Sequence, residues 1–143
     1  MRILFKCTND TCTTDDEHRN TPLIYGAASG HVEVVRVLLE GGADVERADA
    51  YQYTALHAAA WNVHLEVCRL LLDWRAKVDP VDKLKHTPLL WAAKAGHLSL
   101  VKLLEERGAD VRMKNNNGQT ASDMARSEGK ADVAEWLDSA SRV

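Results

Sequence analysis

Three histidines stand at one fixed interval: His31, His64 and His97 are each 33 residues apart. An imidazole can hold a metal or move a proton, so a periodic set invites both readings. A second cluster, Cys7, Cys12 and His18, offers thiolate and imidazole donors close together in the chain. A third set puts Lys83, Lys85 and Lys94 downstream of Tyr51, Tyr53 and Trp61. Ammonium groups beside aromatic rings could bind anions or stack bases.

Most of this chemistry does not survive the spacing. The cysteine cluster has no fourth paired ligand, and unrelated loop residues explain it better than a zinc site. There is no phosphate loop, no G-x-S-x-G, no H-E-x-x-H and no paired C-x-x-C. No catalytic residue, metal site or cofactor is therefore expected. The net charge of −3 gives no global basic field for nucleic acid or an anionic membrane. Hydrophobic residues are 45% and charged residues 27%, which fits an ordinary folded domain rather than a disordered or membrane-spanning chain. The N-terminus lacks an apolar core of secretory length. Three cysteines without a framework pattern suit a reducing compartment, so a cytoplasmic or nuclear setting is expected.

The histidines mark a larger periodicity. Thr87 to His97 reads TPLLWAAKAGH, and it matches TPLIYGAASGH from Thr21, TALHAAAWNVH from Thr54 and TASDMARSEGK from Thr120. A second block repeats in phase: VEVVRVLLEGGADV from Val32, LEVCRLLLDWRAKV from Leu65 and LSLVKLLEERGADV from Leu98. These residues resemble the ankyrin repeat, whose length and T-P-L-H-x-A signature they match. The resemblance covers Thr21 to about Leu137. It implies an all-α solenoid of paired antiparallel helices with β-hairpin-like finger loops, divided as 21–53, 54–86, 87–119 and a C-terminal cap, 120–143.

Residues 1–20 form a partial leading repeat or N-terminal cap plus a loop, because RILFKCTND from Arg2 parallels RVLLEGGAD from Arg36. Two readings stand there: a stack that continues N-terminally, or a half repeat that covers the first apolar face.

Each repeat has a local logic. Thr21 and Thr87 cap a first helix, with Pro22 and Pro88 at the first helical position, where a missing donor is harmless. Small residues such as Gly26, Ala27, Ala92 and Ala93 admit a neighbouring helix. Gly30 and Gly96 end the helix in the left-handed region. The second helix is amphipathic, and Gly42 and Gly108 stop it. Repeat 2 breaks both glycine rules, with Val63 and Arg75. At the first break either Asn62 takes the left-handed conformation or the turn is remodelled. Drift, or a repeat bent to suit a partner, accounts for such a pair. In the fourth copy Ser122 and Asp138 replace leucines, as an end cap requires. Cys68 is expected in the core, Trp91 and Trp136 likewise, and Trp74 at a surface helix end. Asn115, Asn116 and Asn117 read as a finger turn.

The resemblance also implies roles. His31, His64 and His97 would tie the turn between the helices of their own repeats. His57 alone keeps the signature histidine that links neighbouring repeats; Ile24 and Leu90 would replace it by packing. The concave face would be built from finger tips and first-helix ends. Only repeat 2 puts aromatics there: Tyr51, Tyr53 and Trp61, with Asn62. Repeat 3 adds Lys83, Leu84, His86 and Lys94. Aromatic centres with polar rims are the pattern of binding hot spots. The expected function is non-catalytic protein–protein recognition by a scaffold, adaptor or inhibitor, whose partner offers an apolar anchor beside acidic residues. The alternatives are a regulatory or targeting segment of a larger enzyme or channel and, less well supported by the charge, nucleotide or nucleic-acid binding.

Overall fold

The computed structural model describes residues 21–141. The expectations for the leading repeat and for Cys7, Cys12 and His18 lie outside these residues. Eight helices follow in order: α1 Pro22–Ser29, α2 Val32–Glu40, α3 Ala55–Trp61, α4 Leu65–Asp73, α5 Pro88–Ala95, α6 Leu98–Glu106, α7 Ala121–Ser127 and α8 Ala131–Ser141. No strand occurs among the described residues.

The first helix of every pair starts from the same device. The hydroxyls of Thr21, Thr54, Thr87 and Thr120 accept from the backbone N–H three residues on, at 3.1, 3.4, 3.2 and 3.3 Å. Pro22 and Pro88 open α1 and α5. The two copies without proline close a reciprocal capping box instead. Thr54 N–H donates to His57 Nδ1 at 3.1 Å, and Thr120 N–H donates to Asp123 Oδ2 at 3.1 Å. Each box satisfies a donor that the helix start would otherwise leave open.

The helices form two layers. α1, α3, α5 and α7 pack side by side in sequence, and α2, α4, α6 and α8 back them. The first layer is tight because its facing residues are small: Ala27, Ala59, Ala60, Ala92, Ala93 and Ala125 are fully buried. The core runs the length of the stack at repeat spacing. Leu38, Leu71, Leu104 and Leu137 are buried in register, as are Val35, Cys68, Val101 and Ala134. Each such leucine contributes about 1.5–3 kcal/mol on burial, an upper range for an extended unfolded chain. Cys68 behaves as a small apolar side chain; burial pushes its thiol up to about 12. At the C-terminal end Ser122 donates to Asp138 at 2.5 Å, and Arg126 pairs with the same carboxylate at 2.6 Å. This polar network takes the place of leucines found at equivalent positions of earlier repeats.

Repeat 2 resolves its missing glycine in neither of the expected ways. Val63 itself sits at φ 60, while Asn62 stays at φ −91. The turn is not remodelled: His64 N–H reaches the Ala59 carbonyl at 2.8 Å, as His31 N–H reaches Gly26 at 3.1 Å in repeat 1. Arg75 takes φ 65 where Gly42 and Gly108 take 98. Backbone hydrogen bonds at and just after these residues hold them in a region that a Cβ disfavours.

Three side-chain expectations need correction. Trp91 is half-buried and Trp136 is 37% exposed, so neither is core. Trp136 donates to Glu105 at 3.1 Å and lies under the Lys102 ammonium at 4.6 Å. The Trp91 indole lies at the edge of the small-residue layer, and the Trp136 indole lies on the outer face against α6. His64 does not close its own turn. Its Nε2 lies 3.0 Å from the Ala28 carbonyl, so the bond crosses to the preceding repeat, over Gly30. A Cβ at position 30 would come within 2.6 Å of that ring. His31 and His97 are exposed. His57 does link repeats: its Nε2 lies 2.8 Å from the His86 carbonyl. Ile24 and Leu90 are buried at the equivalent positions.

Candidate protein-recognition surface

The finger loops owe their shape to one acid or amide each. Asp49 Oδ1 accepts from Tyr51 N–H at 2.8 Å and from Tyr53 N–H at 2.9 Å. Asp82 Oδ1 accepts from Leu84 and His86 N–H groups, both at 2.9 Å. Asn115 Oδ1 accepts from Asn117 at 2.9 Å and Gln119 at 3.1 Å. Each finger is then closed by a backbone bond, Asp49 to Tyr53, Asp82 to His86 and Asn115 to Gln119, at 3.0–3.1 Å. The tip passes through positive φ at Gln52, Lys85 and Gly118. Adjacent fingers also pair: Lys83 N–H donates to the Tyr51 carbonyl and Asn116 N–H to the Leu84 carbonyl, both at 3.0 Å.

This geometry sends alternate finger residues to opposite sides. Tyr51 and Leu84 point outward, 54% and 56% exposed. Tyr53 and His86 turn back toward the helices. Tyr53 stacks on His57 with centroids 5.1 Å apart. Its phenol is pushed up by burial and then by the charges of Asp82 and Asp49. His86 is only 8% exposed. It is a support beneath the surface rather than the contact residue expected from position. Burial holds its imidazole below the usual range, opposed by Asp82 and reinforced by Lys94.

The aromatic residues converge. Trp91 stacks on His86 at 4.2 Å and meets Tyr53 edge-on at 6.4 Å. Trp61 meets Trp91 edge-on at 4.7 Å. The Trp91 indole N–H donates to Asp82 Oδ2 at 3.1 Å, which fixes the ring plane. Lys94 places its ammonium 5.7 Å from the centroids of both Trp61 and Trp91. Between the finger at 49–53, here finger 2, and the finger at 82–86, here finger 3, these groups bound an open, mostly apolar groove of about 540 Å³, lined by Asp49, Tyr51, Tyr53, Asp82, Lys83, Leu84 and Trp91.

The structure thus brings Tyr51, Tyr53, Lys83 and Leu84 to one groove, with Trp61 and Lys94 at its helix end. Asn62 is exposed beside Trp61, its amide donating to the Ala58 carbonyl at 2.9 Å. Sequence reasoning missed Trp91, Asp82 and Asp49. The last two carried a signal: Asp49, Asp82 and Asn115 recur at the repeat interval. Among the described residues no group of histidine, cysteine or acidic side chains is placed to hold a metal ion. No helix among them is long and apolar enough to cross a membrane. A family model for ankyrin repeats, in three copies, matches residues 1–83 and 75–141. No curated protein is similar enough to count as a relative.

Proposed function

Because the chain belongs to the ankyrin-repeat family, we propose that it recognises a protein partner, without catalysis, on the face made by its fingers and first helices. Ankyrin repeats are in general protein-interaction modules. One observation carries the reading here: the groove between fingers 2 and 3 gathers Tyr51, Tyr53, Leu84 and Trp91 into an exposed apolar surface. Surface of this kind, large for its position and rimmed by charge, is what partners bury. Lys83 and Lys94 supply that rim, so the partner offers an apolar anchor beside acidic residues. Its affinity comes from a surface that the Asp49 and Asp82 clamps organise before binding, which keeps the ordering cost low.

The test compares partner capture by the wild-type chain and by a Tyr51→Ala/Leu84→Ala variant. The melting profiles of both are compared first, so that a lost fold is told apart from a lost contact. A protein retained by wild type and lost by the variant places the contact at this groove. Equal retention by both moves the contact elsewhere and removes the proposal.

A further inference from the structure

Lys94 and Trp61 occupy the same repeat position on successive first helices, so the stack itself sets one beside the other. The Lys94 ammonium rests over the Trp61 and Trp91 rings, and it has no carboxylate partner among the described residues. The nearest acid of the groove is already committed. Asp82 gives one oxygen to the Leu84 and His86 N–H groups and the other to the Trp91 indole. Asp49 turns an oxygen into its own finger in the same way. The carboxylates of Asp49 and Asp82 keep their charge inside the groove beside the Lys83 ammonium, and Lys94, at its helix end, is the cation over the rings that no carboxylate pairs.

Resting on the protein-recognition reading of this groove, we infer that Lys94 is an exchangeable cover and a specificity-determining residue. In the free protein its ammonium shields the two indoles. A partner segment that carries an acidic side chain next to an apolar one draws the ammonium onto its carboxylate. The apolar side chain then takes the vacated ring faces. A contact between a cation and a ring at a half-exposed site is weak, so the exchange is easily driven. A segment with the apolar residue alone must displace the ammonium into water and gains no ion pair for it. The occupant this selects is an extended peptide segment with an apolar residue flanked by aspartate or glutamate.

The probe is a random peptide library displayed on phage, selected on the immobilised wild-type chain. Selected peptides are then remade with each acidic residue changed to its amide and measured against wild type and Lys94→Ala, with Lys94→Met as a variant that keeps the aliphatic stem. We expect enrichment of adjacent apolar and acidic residues. The peptide change and the Lys94 change should each weaken binding, and the second should add little once the first is made. The coupling should be about fivefold, the size of one exposed ion pair. Neutral apolar peptides should bind Lys94→Ala at least as well as wild type. Enriched peptides without acids, or losses that simply multiply, overturn the exchange while leaving the groove as the contact. No enrichment, or peptides indifferent to Tyr51→Ala and Trp61→Ala, overturns the groove reading and the exchange together.

Discussion

His86 lies flat against Trp91, ring centroids 4.2 Å apart and 16° from parallel, and one carboxylate, Asp82, holds both residues. The finger and the following helix are thereby a single rigid unit. Asp82→Asn keeps an oxygen for the backbone N–H groups but gives the indole an amide where it had an acceptor. We expect a loss of about 1–3 kcal/mol, because a part-buried N–H is left without its partner. Chemical denaturation checks the stability, and the near-ultraviolet tryptophan signal checks the ring orientation.

The histidines under the groove should make the protein acid-sensitive. Burial, first among several causes, holds His57 and His86 below their ordinary 6.5. His57 Nδ1 already accepts from Thr54 N–H, so it has no place for a proton. Above the unfolded value both rings are neutral in both states, and their contribution is complete. As pH falls through it, the unfolded chain takes up protons that the folded chain refuses, so stability is lost. The denaturation midpoint should therefore fall between about pH 7 and 5. His57→Leu should flatten that slope, and an unchanged slope would show that His57 is not its source.

Tyr53 sets the opposite limit. Its phenol is raised above 10.0 by burial and by Asp82 and Asp49. Unfolded chain ionises first as pH rises past that value, so stability should decline there. Absorbance titration near 295 nm, a wavelength typical of tyrosinate and about where its band lies, should show one tyrosine titrating late. Tyr53→Phe should remove that late step.

Val63 stores strain that glycine would release. Val63→Gly should stabilise the chain by about 1 kcal/mol, since the left-handed conformation is retained and its Cβ penalty disappears. The reverse change, Gly30→Val, should destabilise by more, because a side chain there meets the His64 ring as well. Thermal melts of the two variants decide the matter. A destabilised Val63→Gly would mean that the valine side chain is held by packing worth more than the strain.

The parts of this architecture that were legible in the sequence are those set by a residue and its near neighbours. Threonine caps, the glycines at 30 and 96, and the buried leucines each answer to local geometry, and the repeat states each one several times. The groove is different. Trp91 reads as core when aligned with Tyr25, Ala58 and Met124, because nothing in the alignment says that Asp82 of the preceding finger will catch its indole. His86 reads as a surface contact because position along a finger does not show which way a side chain turns, and Tyr53 stacks on His57 while still lining the groove. In fact the Asp49 and Asp82 clamps impose alternation, so Tyr51 and Leu84 face out while Tyr53 and His86 face in. Val63 departs from its propensity because propensity weighs one residue, whereas the turn is held by the backbone bonds from Val63 to Ala60 and from His64 to Ala59.

The backbone bond from Lys83 to the Tyr51 carbonyl ties finger 3 to finger 2, and Trp91 meets Trp61 across the same junction. The groove is thus a property of a boundary, and no single repeat contains it. A copy of a repeat spliced in at the start or the end of the array would lengthen the protein and leave its recognition chemistry whole. The same copy spliced between these two fingers would keep every residue of the groove and still part its two walls. For this chain, the order of the modules shapes the groove as much as their sequences do.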